Sequence, residues 1–361
     1  MQIRVEARRL VRVLKAIMPV AEGYPQDHDP VELRVEAGAL WVRASDTRTH
    51  VEARLDGAGP VQGAVTVSAR ALLAAVRSEP EAVELRQNGS LLEVTGHRYQ
   101  ACLGNLGEGL VPDPPQVALP RDTNLAALRL AVERVRHAVS RDITRPVLRC
   151  VHLVPVDGGV LAEVTDSHRA AWSRAECPHW PREVLLEAEH LLPALPPGEG
   201  QIAADDDRVL IVHADETAAW RWVLRQRDGV FPDVSSVAPR TVHTLRVSAA
   251  ELLERTRQVL PFAPADVALV RLRSVPGSGE LVITSGPGLA APGSATASVG
   301  CSHSGDDEIE WGWNAKYAVQ ACEAAGDVEI TLTIQDPLAP ILLRTDALPG
   351  WGEIIMPVRL E

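Results

Sequence analysis

The sequence predicts an α+β protein built from three repeats of one unit, each with two helices and antiparallel strands, and three observations carry that prediction. One helical phrase occurs three times, as Ala-Arg-Ala-Leu-Leu-Ala-Ala-Val at 69–76, Ala-Glu-His-Leu-Leu-Pro-Ala-Leu at 188–195 and Ala-Lys-Tyr-Ala-Val-Gln-Ala-Cys at 315–322, with starts 119 and 127 residues apart. Such a spacing is a domain length and too long for a solenoid. Proline-marked segments, Val111-Pro112-Asp113-Pro114-Pro115 and Phe231-Pro232-Asp233, recur 120 residues apart. The strands come as short alternating runs in neighbouring sets joined by polar turns, which means antiparallel pairing. The 361 residues are therefore expected to divide into domains 1–120, 121–240 and 241–361, with linkers near 113–123 and 233–243.

Each third opens with an amphipathic helix. In the first, a strand over 1–5 leads into a helix over 7–17, where Leu10, Val13, Leu14 and Ile17 form the apolar stripe and Arg8, Arg12 and Lys15 share another face. In the second, over 126–139, Leu128, Val132, Val135 and Val139 face inward, leaving Arg129, Arg134, Arg136 and His137 outside. In the third, a strand over 244–247 precedes a helix over 249–260, with Leu252, Leu253, Thr256 and Leu260 inside and Arg255 and Arg257 outside. Strand sets follow at 31–34, 40–44 and 49–55 in the first copy and at 151–154, 161–165 and 170–174 in the second, and then the repeated helix arrives with another strand set. Two helices per third give six in the chain.

Composition is that of an ordinary globular protein, with 46% apolar and 23% charged residues. Two Phe and three Tyr leave the cores to Leu, Val, Ile and Ala. The longest uncharged run, 281–305, is rich in Gly, Pro and Ser and cannot span a membrane as a helix. The first residues alternate like a strand and lack the apolar block of a signal peptide, so a cytoplasmic protein is expected. Five scattered cysteines, at 102, 150, 177, 301 and 322, argue for reduced thiols. The net charge of −12 disfavours nucleic acid as a partner unless the basic residues gather on one face.

No catalytic constellation emerges. Asp166-Ser167-His168 has the residue types of a hydrolase triad, yet neighbours on a strand point to opposite faces and cannot converge. Cys177-Pro178-His179 lacks a second ligand pair at zinc spacing. Gly286-Pro287-Gly288 with Ala291 imitates a dinucleotide fingerprint, but Pro287, Pro292 and Gly293 disfavour the helix that would hold the pyrophosphate. Acidic runs at Asp205-Asp206-Asp207 and Asp306-Asp307-Glu308 read as solvated turns. No enzyme activity, metal or cofactor is expected.

Five segments, taken in order, carry a family resemblance. Thr165-Asp166-Ser167-His168-Arg169-Ala170 is similar to a Thr-Asp-Gly-His-Arg-Leu motif, and Gly229-Val230-Phe231-Pro232-Asp233 to Gly-x-Phe-Pro-Asp. Trp313-Asn314-Ala315-Lys316-Tyr317, Asp336-Pro337-Leu338 and Ile354-Ile355-Met356-Pro357-Val358-Arg359-Leu360 complete the set. In this order and spacing they resemble the bacterial DNA polymerase III sliding clamp (beta subunit). The resemblance implies three DNA-clamp domains forming half of a six-domain ring, closed by a second copy head to tail, with helices lining the hole. Such a heterologous contact closes only because two copies complete the rotation. It implies a non-enzymatic processivity factor that encircles double-stranded DNA without sequence specificity and tethers the polymerase III catalytic subunit, the clamp loader and other polymerases or repair proteins through short Gln-x-x-Leu-Phe-like peptides.

Residue by residue, the resemblance implies that Arg8, Arg12, Lys15, Arg129, Arg134, Arg136, Arg141 and Arg255 face phosphates, contacts that carry no base information and permit sliding. It places dimer contacts at Leu103, Leu106, Pro261 and Phe262, although core packing also accounts for a large apolar residue such as Phe262. It places a peptide pocket between the second and third domains. One wall is Leu148, Thr165, Ser167, His168, Arg169 and Ala170; the others are Pro232, Val237, Leu338, Pro340, Ile354, Ile355, Met356, Pro357, Val358 and Arg359. The pliable Met356 suits varied partners, while a buried last strand also accounts for 354–360. Three residues depart from the family pattern: Ser167 stands where Gly is usual, Ala170 where Leu is, and Ser236 where Arg is. The expected pocket is recessed, has one rim charge fewer, and prefers a modified peptide. Two other readings stand beside this one, a small-molecule enzyme on a repeated scaffold and a clamp-like relative that binds partners without encircling DNA.

Overall fold

Strands lead into helices along the chain, and four of the six junctions share one cap: a Ser or Asn side chain that accepts from a first-turn N–H. The computed structural model describes residues 1–25, 28–286 and 293–360. Among them are six α-helices: α1 (Ala7–Glu22), α2 (Ala69–Val76), α3 (Leu125–Val135), α4 (Ala188–Ala194), α5 (Ala249–Val259) and α6 (Ala315–Ala325). Ser68, Ser248 and Asn314 cap α2, α5 and α6 by accepting from the N–H of Ala71, Glu251 and Lys316. Asn124 caps α3 through the N–H of Ala127 at 2.9 Å. A second bond docks five of the six helix starts onto a distant turn: Ala7 donates to the carbonyl of Glu81, Ala69 to Asp29, Ala126 to Gly198, Ala249 to Val328 and Ala315 to Ala268, all at 2.8–2.9 Å. The repeat read in the sequence is therefore also a repeat of hydrogen bonds.

Two helices differ from expectation. α1 continues to Glu22 because Val20 and Ala21 prolong the buried stripe; Pro19 lies within it, where its ring removes a single backbone bond. α3 stops at Val135 and tightens into a 3₁₀ turn, Arg136–Ala138. Val139 is consequently only half-buried. His137, expected outside, turns inward to lie 2.8 Å from Glu353 Oε2. A short strand, Arg121–Thr123, pairs with Gly200–Ala204 and supplies the strand-to-helix step that the second copy had lacked in the sequence reading.

The chain forms two compact units. The first comprises residues 1–129 and 176–227. It holds a five-stranded sheet in the order 58–61, 2–6, 82–88, 91–96, 99–104 and an eight-stranded sheet in the order 121–123, 200–204, 208–214, 219–225, 49–56, 39–45, 30–36, 63–68. Strands from two repeats meet in the larger sheet, where Trp222 lies opposite Val51 and Trp220 opposite Ala53. α1 packs beside α2, with Arg70 and Glu22 paired at 2.7 Å across them.

The second unit comprises residues 130–175 and 228–361. Its strands run in the order 150–156, 159–165, 169–175, 352–355, 341–344, 329–334, 243–248, 295–304, 280–285, 269–274, 309–314. Repeats again share one ladder: Ala170 faces Ile354 and Trp172 faces Gly352. Glycine is required at 352, since a Cβ there would stand 2.5 Å from the Trp172 ring. α5 and α6 cover a core that includes Leu252, Val259, Leu272, Leu332, Trp311 and Trp313. Tryptophan fills cores more than expected, with Trp222, Trp311 and Trp313 among the largest fully buried side chains. Each such indole removes a large apolar area from water.

Among the described residues no three His, Cys, Asp or Glu side chains are grouped to hold a metal, and no helix is long and apolar enough to cross a membrane. Cys177 is buried with its Sγ 3.0 Å from Thr123 Oγ1. The two acidic runs lie in turns. Of the dinucleotide-like segment, Pro287 to Pro292 lie outside the described residues.

Candidate functional site

The turn at 165–169 closes the hairpin between strands Gly159–Thr165 and Arg169–Ala175. Its residue types dictate its shape. Asp166 Oδ1 accepts from the N–H of His168 at 2.9 Å and of Arg169 at 3.1 Å, while Thr165 Oγ1 accepts from Ser167 N at 3.2 Å and donates to the Arg169 carbonyl at 2.7 Å. Asp166, Ser167 and His168 thus occupy a turn and not a strand, which corrects the sequence reading. The Asp166 carboxylate serves the turn's own backbone, so no triad forms. Ser167 sits at φ +79°.

The same construction stands 120 residues earlier. There Asp46 Oδ1 accepts from Arg48 N at 2.9 Å and Thr49 N at 2.6 Å, Ser45 Oγ accepts from Thr47 N at 3.2 Å, and Thr47 sits at φ +75°. The turn and its left-handed residue belong to the repeat. What is particular to 165–169 is its surroundings.

Arg169 anchors this turn from beneath. Its Nε meets Asp166 Oδ2 at 3.0 Å, one Nη donates to Gln320 Oε1 at 2.7 Å, the other donates to the His137 carbonyl, and the guanidinium lies 4.2 Å from the Tyr317 ring centroid. The side chain is 6% exposed, so the resemblance's pocket residue acts here as a buried strut. Burial, and then the charge of Asp166, raises the Tyr317 hydroxyl above the ordinary tyrosine range, against the pull of Arg169.

Strand Gly352–Ile355 forms the adjoining wall. Arg169 lies opposite Ile355 and Ala170 opposite Ile354, and the N–H of Met356 donates to the His168 carbonyl at 2.9 Å. On its other side Ile355 lies opposite Ile341, which follows Pro340. Leu338 stands on a turn whose Asp336 Oδ1 accepts from Leu338 N and Ala339 N at 2.8 Å. Leu148 belongs to a 3₁₀ turn, Pro146–Arg149, closed by Ser140 N donating to the Leu148 carbonyl at 3.0 Å. The 229–237 segment is fastened by Phe231 stacking on His152 at 4.7 Å and by Gly229 lying against Val147. Its 3₁₀ turn, Val234–Val237, is capped by Asp233, whose carboxyl is held below the usual range by hydrogen bonds from Ser235.

The predicted residues fall into two layers. Leu148, Thr165, Arg169, Ala170, Ile354 and Ile355 are buried, whereas Ser167, His168, Pro232, Val237, Leu338, Met356 and Arg359 are exposed. Pro340, Pro357 and Val358 are half-buried. Leu338 at 59%, Val237 at 45% and Met356 at 38% expose apolar surface. Sequence reading missed Arg145, which donates to Ser167 Oγ at 2.7 Å, and Glu353, fully buried against His137. An exposed cation just before Pro146 was a findable signal; an acidic residue inside an apolar strand phrase was another.

The basic helix residues are arranged one helix at a time. On α1, Arg8 and Lys15 are exposed and Arg12 pairs with Glu216. On α3, Arg129 donates to the Leu195 carbonyl at 2.6 Å, and burial lowers the half-buried Arg134 below the ordinary guanidinium range. Arg136 and Arg141 are exposed, while on α5 Arg255 is half-buried with Nη1 3.1 Å from Gln258 Oε1. Of the end contacts, Leu103 lies on the edge strand Tyr99–Gly104, and Leu106, at 37% exposure, follows it. Pro261 and Phe262 form a 3₁₀ turn after α5, with Phe262 also 37% exposed.

No protein-family model matches the chain. Among curated proteins it is 29% identical to the beta sliding clamp of Micrococcus luteus over 283 residues, covering 75% of this chain and 88% of that protein. It is 24% identical to the beta sliding clamp of Caulobacter vibrioides, with both chains covered in full. Among solved structures, the DNA polymerase sliding clamp of Pseudomonas aeruginosa superposes with a TM-score of 0.88 at 21% identity, covering 100% of each chain. A sliding clamp of Bartonella birtlesii bound to griselimycin gives 0.89 at 20% identity, again with 100% of each chain covered. Along its whole length, in sequence and in fold, the chain thus resembles the bacterial DNA polymerase III beta sliding clamps.

Proposed function

We propose that this chain is a DNA sliding clamp: a ring-shaped homodimer that encircles duplex DNA, carries no catalytic activity, and tethers a replicative polymerase and other DNA-processing proteins. The observation that carries the reading is full-length similarity to sliding clamps in both sequence and fold. In this reading the chain contributes three domains, 1–120, 121–240 and 241–361, and the ring closes head to tail through Leu103 and Leu106 of one protomer and Pro261 and Phe262 of its partner. The exposed Arg8, Lys15, Arg136 and Arg141 meet phosphates. Such contacts neutralise charge without reading bases, so they hold the duplex loosely enough to slide.

The partner site in this reading is the surface around the 165–169 turn and the 352–356 strand. Exposed apolar groups above a buried, hydrogen-bonded floor support a groove for a short apolar peptide, because the floor cannot collapse into the space. The test is retention on DNA after loading by a clamp loader. Retention on nicked circles and release on linearisation is the expected result; equal loss from circles and linear duplex would sink the reading.

A further inference from the structure

We propose a metal site in the second unit: His243 and His303 together bind a divalent transition cation such as Zn²⁺, with water completing its shell. His243 begins strand 243–248 and His303 lies near the end of strand 295–304, which pairs with it so that Leu245 faces His303. The two rings lie 5.4 Å apart between centroids, and His243 Nδ1 stands 3.2 Å from His303 Nε2. Two imidazole nitrogens on one tetrahedral zinc, each at about 2.0–2.1 Å, are about 3.3 Å apart, so the pair needs little movement to share an ion.

The surrounding groups fix the orientation of His303. Ser274 Oγ has one hydrogen, which it donates to the Glu280 carbonyl at 3.3 Å, so toward His303 Nδ1, 3.2 Å away, it accepts. His303 therefore carries its hydrogen on Nδ1 and presents the Nε2 lone pair to His243, the arrangement by which metal-binding histidines are commonly held. Without metal, His243 Nδ1 donates to that lone pair; on binding, His243 moves its hydrogen to Nε2 and both imidazoles stay neutral. Burial, and then the charge of His243, lowers the pKa of His303 below the ordinary imidazole range, which keeps it in the neutral form that metals require.

Gly305 belongs to the same arrangement. Its φ is not positive, so its backbone does not demand glycine, yet a Cβ there would stand 2.5 Å from His243 Nδ1 and 3.1 Å from His303 Nε2. Any side chain at 305 would close the approach to both nitrogens, while its neighbours Ser304 and Asp306 are exposed and place the approach at the solvent. Cys301 also lies near, with Sγ 4.0 Å from Ser274 Oγ, but burial raises its thiol pKa and keeps it protonated, a poor ligand. No third His, Cys, Asp or Glu joins the pair among the described residues, so water holds the remaining positions of the cation.

The test titrates Zn²⁺ and, separately, Mg²⁺ into the chelator-treated full chain by calorimetry, in a Cys102→Ser background that removes the exposed thiol. Zn²⁺ should bind at least about 10-fold more tightly than it does to His243→Gln, His303→Gln or Gly305→Ala, and Ser274→Ala should weaken it about 10-fold, the scale on which groups that orient a ligand act. Mg²⁺, which takes oxygen ligands, should give no binding heat. In ¹⁵N spectra of the same chain, the ring nitrogen signals of His243 and His303 should shift as Zn²⁺ saturates. Equal Zn²⁺ affinity with and without His303, or ring signals unmoved at saturation, overturns the site and leaves a hydrogen bond only. Should the substituted chains fail to fold by circular dichroism, the ring signals of the chain with both histidines decide alone.

Discussion

Replacing Arg169 with methionine removes the strut beneath the 165–169 turn while keeping most of its apolar length. The side chains of Arg169 and Asp166 are 6% and 15% exposed, so this is a buried pair, and removing one partner of such a pair costs about 3–5 kcal/mol. Asp166 keeps two backbone donors, which places the loss at the low end. The unpaired Gln320 carboxamide oxygen and His137 carbonyl add to this, so about 3 kcal/mol is a lower bound. In urea this should lower the unfolding midpoint by about 1 M, taking a slope near 3 kcal/mol per molar. Site-resolved hydrogen exchange sharpens the assay, because the matching turn at 45–49 has Thr49, 2.9 Å from His190, in place of Arg169 and acts as an internal control. Amides of 165–169 and 352–356 should lose protection, while those of 45–49 should not. A midpoint shift below about 0.3 M, or equal loss of protection in both turns, would refute the account of Arg169.

Three further outcomes are expected. Burial holds His213 at a pKa of about 4, and among the described residues both of its ring nitrogens lack hydrogen-bond partners. The unfolded chain, titrating near 6.5, takes up a proton that the folded chain refuses, so stability should fall by about 3 kcal/mol as pH drops from 6.5 to 4. His213→Leu should flatten that window in urea titrations, and an unchanged pH dependence would refute the assignment. Leu106→Asp or Phe262→Asp should weaken self-association at least about 10-fold in sedimentation experiments, since a charge on an apolar contact must be desolvated; dimers of undiminished affinity in both variants would remove these residues from the interface. Arg8→Ala and Lys15→Ala should each reduce the slope of log affinity for duplex DNA against log salt by about 0.9, with a smaller change for Arg12→Ala because Arg12 pairs with Glu216. Three unchanged slopes would refute the α1 phosphate contacts.

Much of this molecule was legible because its order is local and repeated. Alternation placed the strands 31–34, 40–44 and 161–165 within the observed ones, and the stripe of Leu10, Val13, Leu14 and Ile17 named the buried face of α1. Long-range pairing was not legible: nothing in residues 169–175 announces strand 352–355 as its neighbour, because any alternating run offers the same unpaired backbone groups. The inward turn of His137 was hidden for a similar reason. Helical periodicity assumed α3 continued, whereas the tighter 3₁₀ turn after Val135 rotates every later side chain. For the candidate groove, the motifs supplied its residues, yet only coordinates separate the buried Arg169 from the exposed Ser167 and reveal Arg145 beside it.

Strand 352–355 is flanked on both sides, by 169–175 and by 341–344. During synthesis it emerges long after the first of these neighbours, so the ladder beneath the 165–169 turn stays open until residues 352–355 have been made. Before then the backbone of 169–175 offers an unfilled edge at the place where Met356 will later bond to the His168 carbonyl. Under the groove proposal, a chain lacking residues 352–355 has the turn without its floor and should hold no peptide there.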